Sequence, residues 1–174
     1  PPRDNEPAPE PRRTALLGLR VLVADDNAIN REVAVAMLEV LGCSAVLVGD
    51  GHAAVAEAQR ERFDVILMDC QMPGMDGYAA TAAIRGDEGR RGVPSTPIVA
   101  LTANVLARDR DRCLAAGMNA FLGKPFQATQ LAELLEPIAA ARRAAPAGEP
   151  IARAESTADP QAPAVPVWAE TSGT

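Results

Sequence analysis

Five short apolar runs alternate with five stretches of helical period between residues 20 and 140, and this alternation limits the fold more than any other feature. The runs RVLVA (20–24), SAVLV (44–48), VILM (65–68), IVAL (98–101) and AFL (120–122) are too short for buried helices and rich in β-branched or large aliphatic residues, so they read as strands. Between the first two, Ile29, Val33, Ala36, Met37, Val40 and Leu41 recur with a 3.6-residue spacing until Gly42 stops the pattern, which predicts a helix. Further helices are expected over 53–60, 78–85, 106–116 (stopped by Gly117) and 128–140, with a polar loop over 86–97. Pro137 is expected to kink or end the last of them, because it lacks the donor that continues the ladder. Strands that are apolar throughout must be covered on both faces, and right-handed crossovers through helices supply that cover. The expected fold class is a doubly wound parallel α/β sheet, whose ligands sit beyond the carboxyl ends of the strands.

The folded unit is bounded by proline. Ten of the 15 prolines fall in residues 1–11 and 146–166, where apolar surface is too sparse to offset chain entropy. Residues 1–17 and 142–174 therefore read as linkers around a domain at 18–141, with Trp168 a stray or docking aromatic in the second linker. Aromatic residues make up 3% of the chain and the formal charge is −6, which argues against base stacking and against a phosphate-backbone partner. Cys43, Cys70 and Cys113 show no paired spacing, so neither a disulfide framework nor a zinc site is expected, and a reducing cytoplasm fits. No run approaches the roughly 20 apolar residues of a bilayer span, so this segment is expected to make no membrane contact. The sequence starts at Pro1 without a methionine, as expected of a segment cut from something longer or of a processed chain.

The residues standing at the predicted strand ends are Asp25 and Asp26, Asp69, Thr102 and Lys124. Any one aspartate there could simply cap a helix, as Asp26 or Asn27 would. Three carboxylates on one rim repel each other, however, and call for a cation. Oxygen ligands of this kind select a hard ion such as Mg2+. Three aspartates, one divalent ion and Lys124 sum to zero charge, leaving the rim ready for an anion such as a phosphoryl group, within reach of the Thr102 hydroxyl. Lys124 is the only lysine among 17 basic residues, and a compact ammonium suits a crowded phosphate site better than a guanidinium fork. His52 is the only histidine and is expected to be solvated at a helix start, so the rim offers no base for a serine nucleophile, and a carboxylate must attack instead.

Four blocks in this order, VLVADDNAIN (21–30), MDCQMPGMDG (68–77), ALTAN (100–104) and FLGKPF (121–126), make the chain resemble the receiver domain of bacterial two-component response regulators. The resemblance spans residues 18–141 and implies a flavodoxin-like sheet of order 2-1-3-4-5 with five helices. It further implies that Asp69 accepts a phosphoryl group from a phosphohistidine donor. Mg2+ would be bound by Asp26, Asp69 and the backbone carbonyl of Gln71, with Asp25 helping directly or through water. Lys124 would pair with the phosphoryl oxygens, Thr102 and Phe121 would switch, Gln71 and Ala103 would tune phosphate lifetime, and the Lys124–Pro125 bond would be cis. Phe121 stands where many receivers carry tyrosine, so no hydroxyl is available there.

The wording of the motifs is most similar to receivers of hybrid sensor histidine kinases, which implies a histidine kinase core or a histidine phosphotransfer domain as partner, with homodimerisation through a parent held at the inner membrane. Such a receiver catalyses only its own phosphorylation and dephosphorylation, and the enzyme proper is the parent kinase. A stand-alone single-domain regulator is the alternative. A dehalogenase-like Mg2+-dependent phosphatase needs a second aspartate two residues beyond the nucleophile, where this chain has Gln71. A flavodoxin would need small or hydroxyl residues in place of the acidic first loop. A pseudo-receiver of the same fold would be expected to lack part of the Asp25, Asp26, Asp69, Thr102 and Lys124 set.

Overall fold

The computed structural model describes residues 16–103 and 107–144. Five strands, β1 (Arg20–Ala24), β2 (Ser44–Val48), β3 (Val65–Asp69), β4 (Ile98–Thr102) and β5 (Ala120–Gly123), alternate with five helices. These are α1 (Ala28–Val40), α2 (Gly51–Arg60), α3 (Gly77–Arg91), α4 (Ala107–Ala116) and α5 (Ala128–Ala144). The strands form one sheet in the order β2-β1-β3-β4-β5, and every pairing is parallel. The order reverses between β1 and β3, which opens the crevice where Asp25 and Asp69 stand.

The strand alternation sorts the core into two layers. Val21, Val23, Val65, Leu67, Val99 and Leu101 pack with Leu38 of α1 and Leu131 and Leu135 of α5. Leu22, Ile66, Met68, Ile98 and Ala100 point the other way, onto Ala54 of α2, Ala80 and Ile84 of α3 and Cys113 of α4. Both faces of β1, β3 and β4 are thus buried, as their unbroken apolar runs require. Asn27, Asp50 and Asp76 cap α1, α2 and α3 through side-chain oxygens that accept from Ile29, Ala53 and Ala79 N–H groups. Capping by Asn27 leaves the exposed Asp26 carboxylate out of the helix start.

Several boundaries differ from expectation, most of them by a residue or two. The polar run read as loop over 86–97 begins as helix, and α3 continues to Arg91. Asp87 pairs with Arg90 and Arg91 one turn along, while Glu88 turns inward to accept from Arg85 and from the Thr96 N–H. Those charges are helix stabilisers, and Gly92 at φ +61° ends the run. Pro137 does not end α5, because Leu131, Leu135 and Ala139 anchor the helix on both sides of it. Arg142 fastens the far turn to the Gly18 carbonyl and to Asp64, so the ordered unit extends past residue 141. At the other end Leu16, read as part of the leading linker, is fully buried against the α1 and α5 layer. The rest of both linkers, including Trp168, and the start of the fourth helix at Leu106 lie outside the described residues. Among the described residues no helix is long and apolar enough to cross a membrane.

Candidate phosphoacceptor site

Ladder hydrogen bonds carried one residue beyond the strands set the positions of the functional side chains. The Asp25 N–H donates to the Val48 carbonyl at 3.2 Å, the Cys70 N–H to Leu101 at 3.0 Å, and the Lys124 N–H to Thr102 at 2.7 Å. The backbone is therefore still paired into the ladder where the side chains turn out of the sheet. Gly77 adds a closer constraint: a Cβ there would lie 2.1 Å from the Asp69 carbonyl oxygen, so only glycine lets α3 start against the end of β3.

Asp25, Asp26 and Asp69 each bring a carboxylate oxygen within 4.8 Å of the others. Asp25 is 1% exposed and Asp69 5%, whereas Asp26 is open to solvent. The Lys124 ammonium bridges the two buried members, donating at 2.7 Å to Asp25 Oδ2 and at 2.7 Å to Asp69 Oδ2. Asp25 Oδ1 also accepts from the Asn27 N–H at 2.9 Å and from the Asn30 amide at 3.1 Å, and its own carbonyl accepts from Arg31 at 2.6 Å. Asp69 Oδ1 accepts from the Gln71 N–H at 3.0 Å.

Burial is the largest influence on Asp69 and pushes its carboxyl above the ordinary range, although Lys124 and the Gln71 N–H pull against it. For Lys124 burial acts downward, but the hydrogen bonds and charges of Asp25 and Asp69 outweigh it and leave the ammonium harder to deprotonate. Beside them, burial pushes the Cys70 thiol up to about 12.

The predicted rim residues Asp25, Asp26, Asp69 and Lys124 thus come together. Thr102 is buried at the end of β4, with Ala103 exposed after it. Gln71 is exposed just beyond Asp69, and Phe121 lies half-buried on β5 with the Arg110 guanidinium 5.6 Å from its ring centre. The Lys124–Pro125 peptide is cis. His52 stands exposed in the first turn of α2. Asn30, Arg31 and Gly77 carry roles here that no pattern in the sequence assigns to them. Asn30 closes the block VLVADDNAIN and Gly77 the block MDCQMPGMDG, while Arg31 stands out only as a polar residue in the first turn of the helix after Asp25.

A pocket of about 390 Å³ opens beside the carboxylates, lined by Asp25, Asn30, Val33, Lys124, Pro125 and Phe126 among others. Ile29 and Val33 of α1 are exposed at 69% and 46%, leaving an apolar shoulder next to an acidic rim.

The profile of the response regulator receiver domain matches residues 21–136. The chain belongs to that family. The receiver is 47% identical over 116 residues to the sensor protein GacS of Pseudomonas syringae, covering 67% of this chain and 13% of that protein. It is similar to the crystal structure of the receiver domain of a Pseudomonas aeruginosa sensor histidine kinase with magnesium in its active-site cleft, at 48% identity and a TM-score of 0.63, over 71% of this chain and 98% of that one. It is also similar to a Saccharomyces cerevisiae response regulator receiver crystallised with its histidine phosphotransfer protein, at 28% identity and a TM-score of 0.69, over 72% of this chain and 92% of the other. The receiver therefore spans about an eighth of the curated sensor protein it matches.

Proposed function

We propose that this receiver takes a phosphoryl group from a phosphohistidine onto Asp69 and thereby switches the surface formed by α4, β5 and α5. The observation that carries the reading is the Asp69 carboxylate, nearly buried, held between Lys124 and the Gln71 N–H and crowded by Asp25 and Asp26. Three carboxylates within 4.8 Å are a hard oxygen donor set, and with the single Lys124 charge they leave a surplus of two negative charges. Mg2+ fits this set. Asp25, Asp26, Asp69 and the Gln71 carbonyl would hold it, and when bound it would supply neutralising charge to the phosphoryl oxygens.

In the transfer itself an Asp69 carboxylate oxygen attacks phosphorus, the phosphorus–nitrogen bond of the donor breaks, and the electron pair leaves on the imidazole, which takes up a proton. Lys124 exchanges one carboxylate for a phosphoryl oxygen and so follows the charge. Asn30 and the Asn27 N–H keep Asp25 oriented while this happens. Thr102, one strand over, offers its hydroxyl to the new anion, and Phe121 next to β4 repacks with it. Gln71 and Ala103 flank the approach of water and set the lifetime of the acyl phosphate. The apolar shoulder of Ile29 and Val33 offers a seat for the donor protein.

The sensor-kinase relatives and the receiver crystallised with a phosphotransfer protein support a kinase core or histidine phosphotransfer domain as that donor, with the receiver joined to a hybrid kinase in the cytoplasm. Incubation with acetyl phosphate and Mg2+ should label the wild-type chain and leave Asp69→Asn unlabelled while its fold is intact by circular dichroism. Equal labelling of both proteins would reject the assignment.

A further inference from the structure

Two sulfur atoms meet behind the phosphoacceptor. Cys70 directly follows Asp69, and Cys113 lies on α4; their Sγ atoms are 4.0 Å apart, and the residues are 3% and 2% exposed. Nothing in the transfer chemistry uses either thiol. Cys43, the third cysteine, belongs to the opposite core layer. Tyr78 of α3 adjoins Cys70, and the Arg112 guanidinium of α4 stacks 4.4 Å from the Tyr78 ring centre. The thiol pair therefore sits in the seam along which α4 is held to the end of β3, one residue from the acceptor and on the same helix as Arg110, which covers Phe121.

We propose that Cys70 and Cys113 are a modification site, forming an intramolecular disulfide on exposure to a peroxide and so locking α4 to the acceptor strand. A disulfide needs its sulfurs about 2.05 Å apart, so the pair has about 2 Å to close. The chemistry balances in two steps. With α4 displaced, one thiol gives its proton to solvent and the sulfur attacks a peroxide oxygen; the O–O bond breaks, a sulfenic acid forms, and the departing hydroxide takes up a proton and leaves as water. The second thiol then attacks that sulfur, the S–O bond breaks, and a second water leaves. Two thiols lose two electrons and two protons, and one peroxide becomes two waters. Because both thiols are sheltered while α4 is seated, reaction follows outward movement of that helix. Once made, the bond resists the repacking of α4 that the switch needs. This second consequence rests on the receiver reading above.

The test uses the full chain, reduced, then treated with hydrogen peroxide, alkylated and digested without reductant. A peptide joining Cys70 to Cys113, with Cys43 recovered alkylated, is the expected product, and it should be missing from Cys113→Ser. Amide shifts of Thr102 and Phe121 on adding Mg2+ and beryllofluoride should be large in the reduced protein, much smaller after oxidation, and restored by dithiothreitol; Cys113→Ser should keep them under peroxide. Recovery of Cys70 and Cys113 only as free or singly oxidised thiols would overturn the proposal, as would a linked peptide with an unchanged beryllofluoride response. Acetyl phosphate labelling of the reduced chain is scored separately, so loss of the receiver reading is distinguishable from loss of the disulfide.

Discussion

At the scale of single residues, the proposed transfer rests on Lys124, which carries one positive charge between two buried carboxylates. An ammonium can leave one oxygen for another by a small rotation, whereas a guanidinium fork prefers to hold two acceptors in one plane. Lys124→Arg keeps the charge and is expected to fold. Its beryllofluoride half-saturation should rise about tenfold, the cost of roughly one charge-assisted hydrogen bond, as read by titration of amide shifts. An unchanged midpoint would mean that charge alone is needed at this position. Asn30 and Arg31 illustrate a different kind of residue, one whose role comes entirely from what lies across the turn. Their side chains fix Asp25, and nothing in their spacing announces it.

Single elements show how local sequence and tertiary packing share the work. The start of α3 is dictated twice: Asp76 caps it through the Ala79 N–H, and Gly77 lets it approach the Asp69 carbonyl. In Gly77→Ala the new methyl would stand 2.1 Å from that oxygen, so the helix must back away from the acceptor strand. Overpacking of this kind costs about 1–3 kcal/mol, which should lower the urea midpoint, and the displaced Asp69 should label more slowly with acetyl phosphate. A variant as stable and as fast as wild type would show that the helix start has slack. The end of α3 teaches the converse. Residues 86–91 carry the composition of a loop, yet Glu88 finds Arg85 and the Thr96 N–H in the fold and stays helical. Pro137 inside α5 is the same case, a local breaker overruled by the apolar residues flanking it.

For the whole molecule, the acidic crevice couples stability to metal and to protons. With the Asp69 carboxyl raised above its unfolded value, the native chain holds this proton more tightly than the unfolded chain does. The contribution of Asp69 to stability therefore falls as pH rises through its native pKa, and rises again on acidification toward it. Magnesium reverses this, since it needs the ionised carboxylate. The melting temperature in chelator should thus decline with rising pH across that range by more than in Asp69→Asn, and added Mg2+ should raise it most at the alkaline end. A pH profile identical in both proteins would mean that Asp69 bears no such strain. The curated sensor protein it matches is far longer than the receiver, which spans 13% of it.

The fold class, the strand set and the convergence of Asp25, Asp26, Asp69 and Lys124 were legible in the chain alone, because strand length, apolar periodicity and the chemistry at strand ends are local properties. The motif resemblance supplied the sheet order and the cis Lys124–Pro125 bond. What only the tertiary structure decided is which groups touch across elements: Lys124 astride two carboxylates, Gly77 against the Asp69 carbonyl, Leu16 and Arg142 drawn into the domain, and Cys70 facing Cys113. Contacts between residues distant along the chain depend on crossover handedness and on how helices seat on a twisted sheet, and neither is written in any short window of sequence.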